Sequence, residues 1–334
     1  MEKQKKVLIA PLNWGLGHAS RCIPIIDQYK RDGWEVILAS DGGSLSLLKK
    51  SFPDLESHEL PGYDIRYSKD ARLITSVFFQ LPRLWKRIRE EFLWLKKFNQ
   101  TAKLDLVISD NRYGMHCKRT RSVLITHQLN IKSPVFSEMI NRFNLKMIGR
   151  FDECWVPDVE GEGNLSGELS DIPLPIAKKY IGHLSSLKKQ EDIKEDIPLL
   201  CILSGPEPQR TLVERELKPI LHDYPGSYLI RGLAEDQGER DEDGLKVIGF
   251  ADRARIQDLI SRSKLVLCRS GYSSIMDLNV MEKKAILIPT PGQTEQEYLA
   301  DKLSDHTRFR SIQQEDLSLG LRSLIASANR WGLS

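Results

Sequence analysis

The stretch that most constrains this chain is Lys264 to Leu303, KLVLCRSGYSSIMDLNVMEKKAILIPTPGQTEQEYLADKL. Lys264–Cys268 is a short β-branched and apolar run, the pattern of a strand buried on both faces. Arg269-Ser270-Gly271 breaks the run. Ser273 or Ser274 is then expected to cap a helix that carries Ile275, Leu278 and Met281 on one side. Ala285–Pro289 is a second apolar strand, ended by Pro289 and the turn Pro291-Gly292. Thr294 is expected to cap a further helix with Tyr298, Leu299 and Leu303 as its buried residues. Strand–helix–strand–helix units of this kind build parallel sheets.

Ligands of parallel sheets bind at the carboxyl ends of the strands, where loops enter helices. Two such loops lie close together here. In RSGYSS, Gly271 removes a side chain, Ser273 and Ser274 offer hydroxyls, and a helix N-terminus offers N–H groups to an anion. Asp277 follows in the same helix, where a carboxylate can accept both hydroxyls of a ribose diol. In TPGQTEQE, Gln296 and Glu297 stand at the start of the next helix, in reach of sugar hydroxyls. Together these groups describe a nucleotide-sugar site. Ordinary helix capping, for which serines and acids are common in first turns, is the alternative.

The string RSGYSSIMDL…KAILIPTPGQTEQEYLADKL resembles the donor-binding signature of family-28 glycosyltransferases, which include the enzyme that adds N-acetylglucosamine to lipid-linked peptidoglycan precursors. That signature runs Arg-x-Gly, an acidic residue on the helix, then Pro and a Gln-Gln pair. The resemblance implies that Arg269, Ser270 and Gly271 belong to the donor site and that Asp277 binds the ribose, with Asp where Glu is usual. It implies that Gln296 reads the sugar, and that Glu297 stands where the second Gln would be. Ser204-Gly205-Pro206, after the apolar run Leu199–Leu203, resembles the phosphate loop of the same family. Phe250 and Ala251, after the run Val247–Phe250, inherit its contact with uracil, through an aromatic face and a backbone group.

The first half opens on another strand, Val7–Pro11, which leads through NWGLGHASR into a helix over Cys22–Lys30. Gly15 and Gly17 allow a tight strand-to-helix turn, and His18 lies near the helix N-terminus as a cap or a ligand-facing group. GLGHASRC resembles the first loop of family-28 enzymes. It is closer still to the Gly-x-Gly-His-x-x-Arg-Cys of UDP-sugar hydrolases of the pseudaminic acid pathway, from which His18 inherits a catalytic role. Leu104–Ser109 is a buried strand that ends in Asp110, and a carboxylate at a strand end is a candidate partner for His18. His127, just past the strand Ser122–Thr126, can touch substrate or cap the next segment.

Thr75–Phe98 reads as one long helix. Leu84, Ile88, Phe92 and Phe98 form a stripe. From Arg83 to Lys97 six basic residues face two acidic ones, a net +4, with Trp85 and Trp94 between them. A basic amphipathic helix with Trp can lie on an anionic membrane, and it can equally be a surface helix with its stripe in the core.

At 334 residues there is chain for two domains, and a net charge of +3 does not argue for nucleic acid. No apolar run approaches the length of a membrane span. Five cysteines without CxxC spacing fit reduced cytosolic thiols. No Asp-x-Asp metal motif and no metal-ligating cluster is read in either half, so metal independence is expected, with no cofactor beyond the donor.

The expected architecture is α/β of the GT-B type: two Rossmann-like parallel-sheet domains facing a cleft. Residues 1–187 form the acceptor and catalytic domain, and the polar segment 188–197 is the linker. Residues 198–314 bind the nucleotide sugar, and 315–334 form a terminal helix that crosses back to the first domain. The expected activity is transfer of a hexose or N-acetylhexosamine from a UDP-sugar to a glycan or lipid-linked acceptor. The setting is the cytoplasm, with peripheral contact through 83–98 to the inner face of the membrane. A UDP-sugar hydrolase and a non-catalytic sugar-nucleotide-binding protein are the alternatives.

Overall fold

The computed structural model describes residues 4–63, 73–205, 207–233 and 235–331. The chain divides between Ser186 and Leu187 into two compact units. Pro206, named above in the phosphate loop, lies outside the described residues, as does the end of the terminal segment at 332–334.

The first unit is a parallel sheet of β1 (Lys6–Pro11), β2 (Glu35–Ser40), β3 (Glu56–Glu59), β4 (Leu106–Asp110), β5 (Arg121–Ile125), β6 (Glu153–Val156) and β7 (Ala177–Tyr180), in the order β3-β2-β1-β4-β5-β6-β7. Successive β1 side chains point to opposite faces, and both faces are covered. Val7 and Ile9 pack with Cys22 and Ile26 of α1 (Gly17–Arg31) and Leu48 of α2 (Gly42–Ser51). Leu8 and Ala10 pack with Leu95 of α3 (Leu73–Ala102). The last helix of this unit is α4 (Ser137–Ile148).

The second unit holds β8 (Ile197–Ile202), β9 (Tyr228–Ile230), β10 (Glu239–Glu242), β11 (Leu245–Ile248), β12 (Ser263–Cys268), β13 (Ala285–Leu287) and β14 (Phe309–Ser311). Their order is β10-β11-β9-β8-β12-β13-β14, and only the pairing of β10 with β11 is antiparallel. Its helices are α5 (Gln209–Leu221), α6 (Arg253–Arg262), α7 (Tyr272–Val280), α8 (Thr294–Lys302) and α9 (Leu317–Ser327).

Three expectations about helices meet the structure here. First, in the terminal segment, Leu317, Leu321 and Ile325 of α9, with Trp331, join Val213 and Leu217 of α5 over Leu199 and Leu265 in the second core, while Leu319 is exposed. Second, α7 starts at Tyr272 with Gly271 as its N-cap, and α8 follows an N-cap at Gln293, so neither Ser273, Ser274 nor Thr294 caps a helix. Third, α1 begins at Gly17 after an N-cap at Leu16, which puts His18 inside its first turn rather than at the cap.

Both sheets reverse strand order at one place. In the first, β1 has β2 on one side and β4 on the other; in the second, β8 lies between β9 and β12. At such a switch point the loops leave in opposite directions and open a crevice at the carboxyl ends of the strands.

Candidate active site

The first unit builds its site at the β1–β4 switch. Pro11 is in register with Asp110, so the loop after β1 starts beside the carboxylate that ends β4. His18 and Arg21, three residues apart on one face of α1, both turn onto that carboxylate. His18 Nδ1 is 2.9 Å from Asp110 Oδ1. Arg21 Nε donates to Oδ2 at 2.6 Å, and its Nη2 donates to Oδ1 and also lies 3.0 Å from His18 Nδ1. Cys22 Sγ approaches Oδ2 at 3.7 Å.

Asp110 is fully buried and Arg21 is 2% exposed, so the pair is a desolvated fork-to-fork contact. Burial pushes the Asp110 carboxyl up, but Arg21 and His18 together hold it well below the usual carboxylate range. An ionised carboxylate only accepts, so the Nδ1 proton of His18 is the one it binds. Nε2 is left as the basic nitrogen. Burial lowers the His18 pKa from 6.5, Asp110 opposes this, and Arg21 and His127 add to it. The imidazole is neutral at pH 7, the state a general base requires. His127, two residues beyond β5, is 3% exposed and close enough for its charge to act on His18.

A second network holds the loop that leads to His18. Arg112 donates to Pro11 O at 2.9 Å, to Glu91 Oε1 at 2.6 Å and to Asp41 Oδ1. Tyr63 donates to the other Glu91 oxygen at 2.6 Å. Asp41 accepts from Asn13 at 3.1 Å, and Asn13 accepts from the Ser44 backbone at 3.2 Å. Arg112 and Glu91 are both fully buried. Burial raises the Glu91 carboxyl to about 8 against the opposing hydrogen bonds from Tyr63 and the Gly114 backbone, and it lowers the Arg112 guanidinium to about 9. Helix α3 crosses so near Gly114 that a Cβ there would lie 2.3 Å from Ile88 O. Gly15 turns the loop at φ +76°. Gly17 opens α1.

In the second unit the expected donor residues gather at the carboxyl ends of neighbouring strands. Ser204 and Gly205 follow β8 and are exposed; Arg269, Ser270 and Gly271 follow β12; Phe250, half-buried, and Ala251, buried, follow β11. Ser273, Ser274 and Asp277 lie in the first turns of α7, all half-buried. Some of these side chains serve the scaffold instead of facing outward. Arg269 is 3% exposed and spends its guanidinium on Pro289 O (3.1 Å), Ile288 O (3.4 Å), Gln209 O (3.0 Å) and Gln314 Oε1 (2.8 Å). Ser270 donates to Gln296 O at 2.8 Å. Gln296 Oε1 accepts from the Thr290 backbone at 2.9 Å, and Glu297 Oε1 from the Gly292 backbone at 2.8 Å, so both hold the turn before α8.

Among the described residues no group of three His, Cys, Asp or Glu side chains is placed to hold a metal ion. The chain does contain an Asp-x-Asp string, Asp241-Glu242-Asp243, at the β10–β11 hairpin. There Asp241 accepts from the Gly244 backbone at 2.8 Å and Glu242 pairs with Lys218 at 2.8 Å.

Sequence reading did not assign Arg21 or the Arg112–Glu91–Asp41 network. The His-x-x-Arg spacing on one helix was a usable signal for the first. Nothing local pointed to the second, whose members are brought together from β4, α3 and the end of β2.

Residues 230–330 match the glycosyltransferase family 28 C-terminal domain. Among curated relatives, the UDP-N-acetylglucosamine–N-acetylmuramyl-(pentapeptide) pyrophosphoryl-undecaprenol N-acetylglucosamine transferase of Rhodopseudomonas palustris is 31% identical over 121 residues, 33% of this chain and 32% of that protein. The like-named transferase of Mannheimia succiniciproducens is 21% identical over 95% of this chain and 88% of its own length. Among solved structures, MurG of Acinetobacter baumannii superposes with a TM-score of 0.58 at 14% identity, over 98% of this chain and 93% of that one. The fold is GT-B.

Proposed function

We propose that this GT-B chain moves a hexose or N-acetylhexosamine from a UDP-sugar to a glycan or lipid-linked acceptor. Sugar transfer from a nucleotide sugar is carried by one observation above all: the family 28 match covers 230–330, and within it lie the β12–α7 and β13–α8 loops. The relatives' names support UDP-N-acetylglucosamine as a first donor to try and a lipid-linked saccharide as a first acceptor. Neither the family match nor the relatives favour the hydrolase reading.

In the proposed reaction the second unit holds the donor. Asp277 takes the ribose hydroxyls, Phe250 and Ala251 the base, and the loop at Ser204-Gly205 with the N-terminus of α7 the diphosphate. His18 Nε2 accepts the proton of the acceptor hydroxyl, and Asp110 steadies the imidazolium that results. The acceptor oxygen forms a bond to the anomeric carbon. The bond from that carbon to the diphosphate oxygen breaks, and its electron pair leaves on UDP.

A thermal-shift panel of UDP-, GDP- and dTDP-sugars tests the donor class, with UDP-sugars expected to stabilise the protein by mass action. Asp277→Ala is expected to weaken UDP by about 1.5–3 kcal/mol, the range for hydrogen bonds to a charged group. Calorimetry showing wild-type affinity in that variant removes Asp277 from the ribose site.

Contact with an anionic membrane is part of the proposal. On α3, Ile88, Glu91 and Leu95 are buried, whereas Arg83, Lys86, Arg89, Lys96 and Lys97 are exposed. A groove of about 560 Å³ on this side is lined by Trp85, Lys86, Arg89, Phe92, His116 and Arg150. Trp85 meets Phe143 of α4 edge-on at 4.9 Å, and the start of α4 exposes Val135, Phe136 and Met139. Apolar tips ringed by cations suit an anionic lipid surface. No described helix is long and apolar enough to cross a membrane. Co-sedimentation with phosphatidylglycerol vesicles is expected at low salt, falling as salt rises and on the double change Lys86→Glu, Arg89→Glu. A wild type that never pellets at low salt leaves α3 a purely structural helix.

A further inference from the structure

Thr290, which follows β13, is 1% exposed, and its Oγ1 has no hydrogen-bond partner. A buried hydroxyl left in this state costs free energy, so its place needs a reason. Its backbone is firmly held. The N–H donates to Gln296 Oε1 at 2.9 Å, and the carbonyl accepts from Gln293 N at 3.0 Å. Only the hydroxyl is unspent.

What the hydroxyl faces is the loop after β8. Gly205 has φ +100°, which excludes other residues from its backbone shape. On the side where a Cβ would stand, Thr290 Oγ1 is the one atom of the described residues within 4 Å, chain neighbours apart, at 4.0 Å. A Cα without a side chain, a loop that enters α5, and an unspent hydroxyl opposite therefore meet at one point, at the switch between β8 and β12. Just before Thr290 in the chain, the Ile288 and Pro289 carbonyls accept from Arg269. Among the described residues its hydrogen bonds go to four neutral oxygens, its Nε has no partner, and no carboxylate hydrogen-bonds it. One of those oxygens is the carbonyl of Gln209, the first residue of α5. A buried cation with no hydrogen-bonded anion thus holds the residues that lead into Thr290 and the start of α5.

We infer that Thr290 is a donor-binding residue: its hydroxyl donates to a diphosphate oxygen lying against the bare side of Gly205, and buried Arg269 supplies positive potential without touching the ligand. The inference rests on the reading that the second unit holds a nucleoside diphosphate. It adds a residue from the β13 end of the sheet, and it gives Arg269 a task compatible with its burial. A hydrogen bond to an ionised oxygen is among the stronger kinds, and it fills the one vacancy on the Thr290 side chain.

The test uses the full chain and three ligands: UDP, GDP and uridine. Thr290→Val keeps the shape and removes the hydroxyl, and Thr290→Ser keeps the hydroxyl. The free Thr290→Val protein should melt at or above the wild-type temperature, because an unpartnered buried hydroxyl is gone. Its affinity for UDP should fall on the order of tenfold, with affinity for uridine unchanged. Thr290→Ser should bind UDP within about twofold of wild type, a difference of about 0.4 kcal/mol. Wild-type UDP affinity in Thr290→Val overturns the inference and leaves the donor reading in place. An equal loss of UDP and uridine overturns it as well, since the change has then damaged the whole site. A wild type that binds neither UDP nor GDP sinks the donor reading, and the role of Thr290 falls with it.

Discussion

Replacing His18 by alanine is expected to lower turnover by about 10²–10⁴-fold, the usual share of a general base, and to leave the affinity for UDP nearly unchanged. The chemistry of the first unit converges on one atom, Nε2 of His18, because Nδ1 is engaged with Asp110 at 2.9 Å. The residues proposed for the ribose, base and diphosphate, by contrast, belong to the second unit. The pH profile carries the same signature. His18 has its pKa lowered from 6.5, mainly by burial. The working form is neutral, so kcat/KM falls as the pH drops through the folded-state value, and the acid limb lies below pH 6.5. Steady-state rates against pH, with calorimetry of UDP on both proteins, check this. Full turnover in His18→Ala takes the imidazole out of the mechanism. An acid limb above pH 6.5 contradicts its buried setting.

Asp110→Ala is expected to destabilise the first unit by about 3–5 kcal/mol, the cost of stripping one partner from a buried ion pair. Arg21 is 2% exposed, and Asp110 takes two of its N–H groups. Without the carboxylate a guanidinium is left buried without its countercharge. Turnover is lost as well, because nothing then favours the Nδ1–H tautomer or the imidazolium. Asp110→Asn keeps the volume and separates the two effects: it retains more stability than the alanine variant and still loses activity. The sign with pH follows from the depressed pKa of Asp110. Its contribution to stability is complete above about pH 3.8, the ordinary aspartate value, and disappears only as the pH falls through the lower folded-state value. Urea titration of the three proteins at pH 7 measures the differences. A melting curve for Asp110→Ala within about 0.5 kcal/mol of wild type shows that the pair contributes little.

The parts of this protein that sequence alone determined are those written in local period and composition. Unbroken apolar runs such as VLIAP and LVLC mark strands buried on both faces, and a parallel sheet is the arrangement that covers both faces of a strand. The polar edges escaped that logic. Strand β10 reads ERDE and has no apolar face, because it lies at the rim of the sheet with one neighbour, β11. Its existence depends on the Asp243-Gly244 turn rather than on burial. The β12–α7 and β13–α8 loops were legible because their residues lie within about one turn of a strand end, and strand ends are where such sheets bind ligands.

Tertiary structure decided what each of those side chains does. Arg269 and Gln296 look in sequence like ligand contacts. In the fold Arg269 is buried against carbonyls from α5 and the end of β13, and Gln296 closes its own turn, since a donor is claimed by the nearest unsatisfied acceptor. The hydroxyl that remained unspent, Thr290, carries no motif at all. His18 and Asp110 are 92 residues apart, and the register of β1 on β4 makes them partners. Arg21 joins them because Asp110 could not be buried without a countercharge. The destination of α9 was likewise beyond any local pattern. An apolar stripe specifies that a helix must be covered, and only the packed core shows by what.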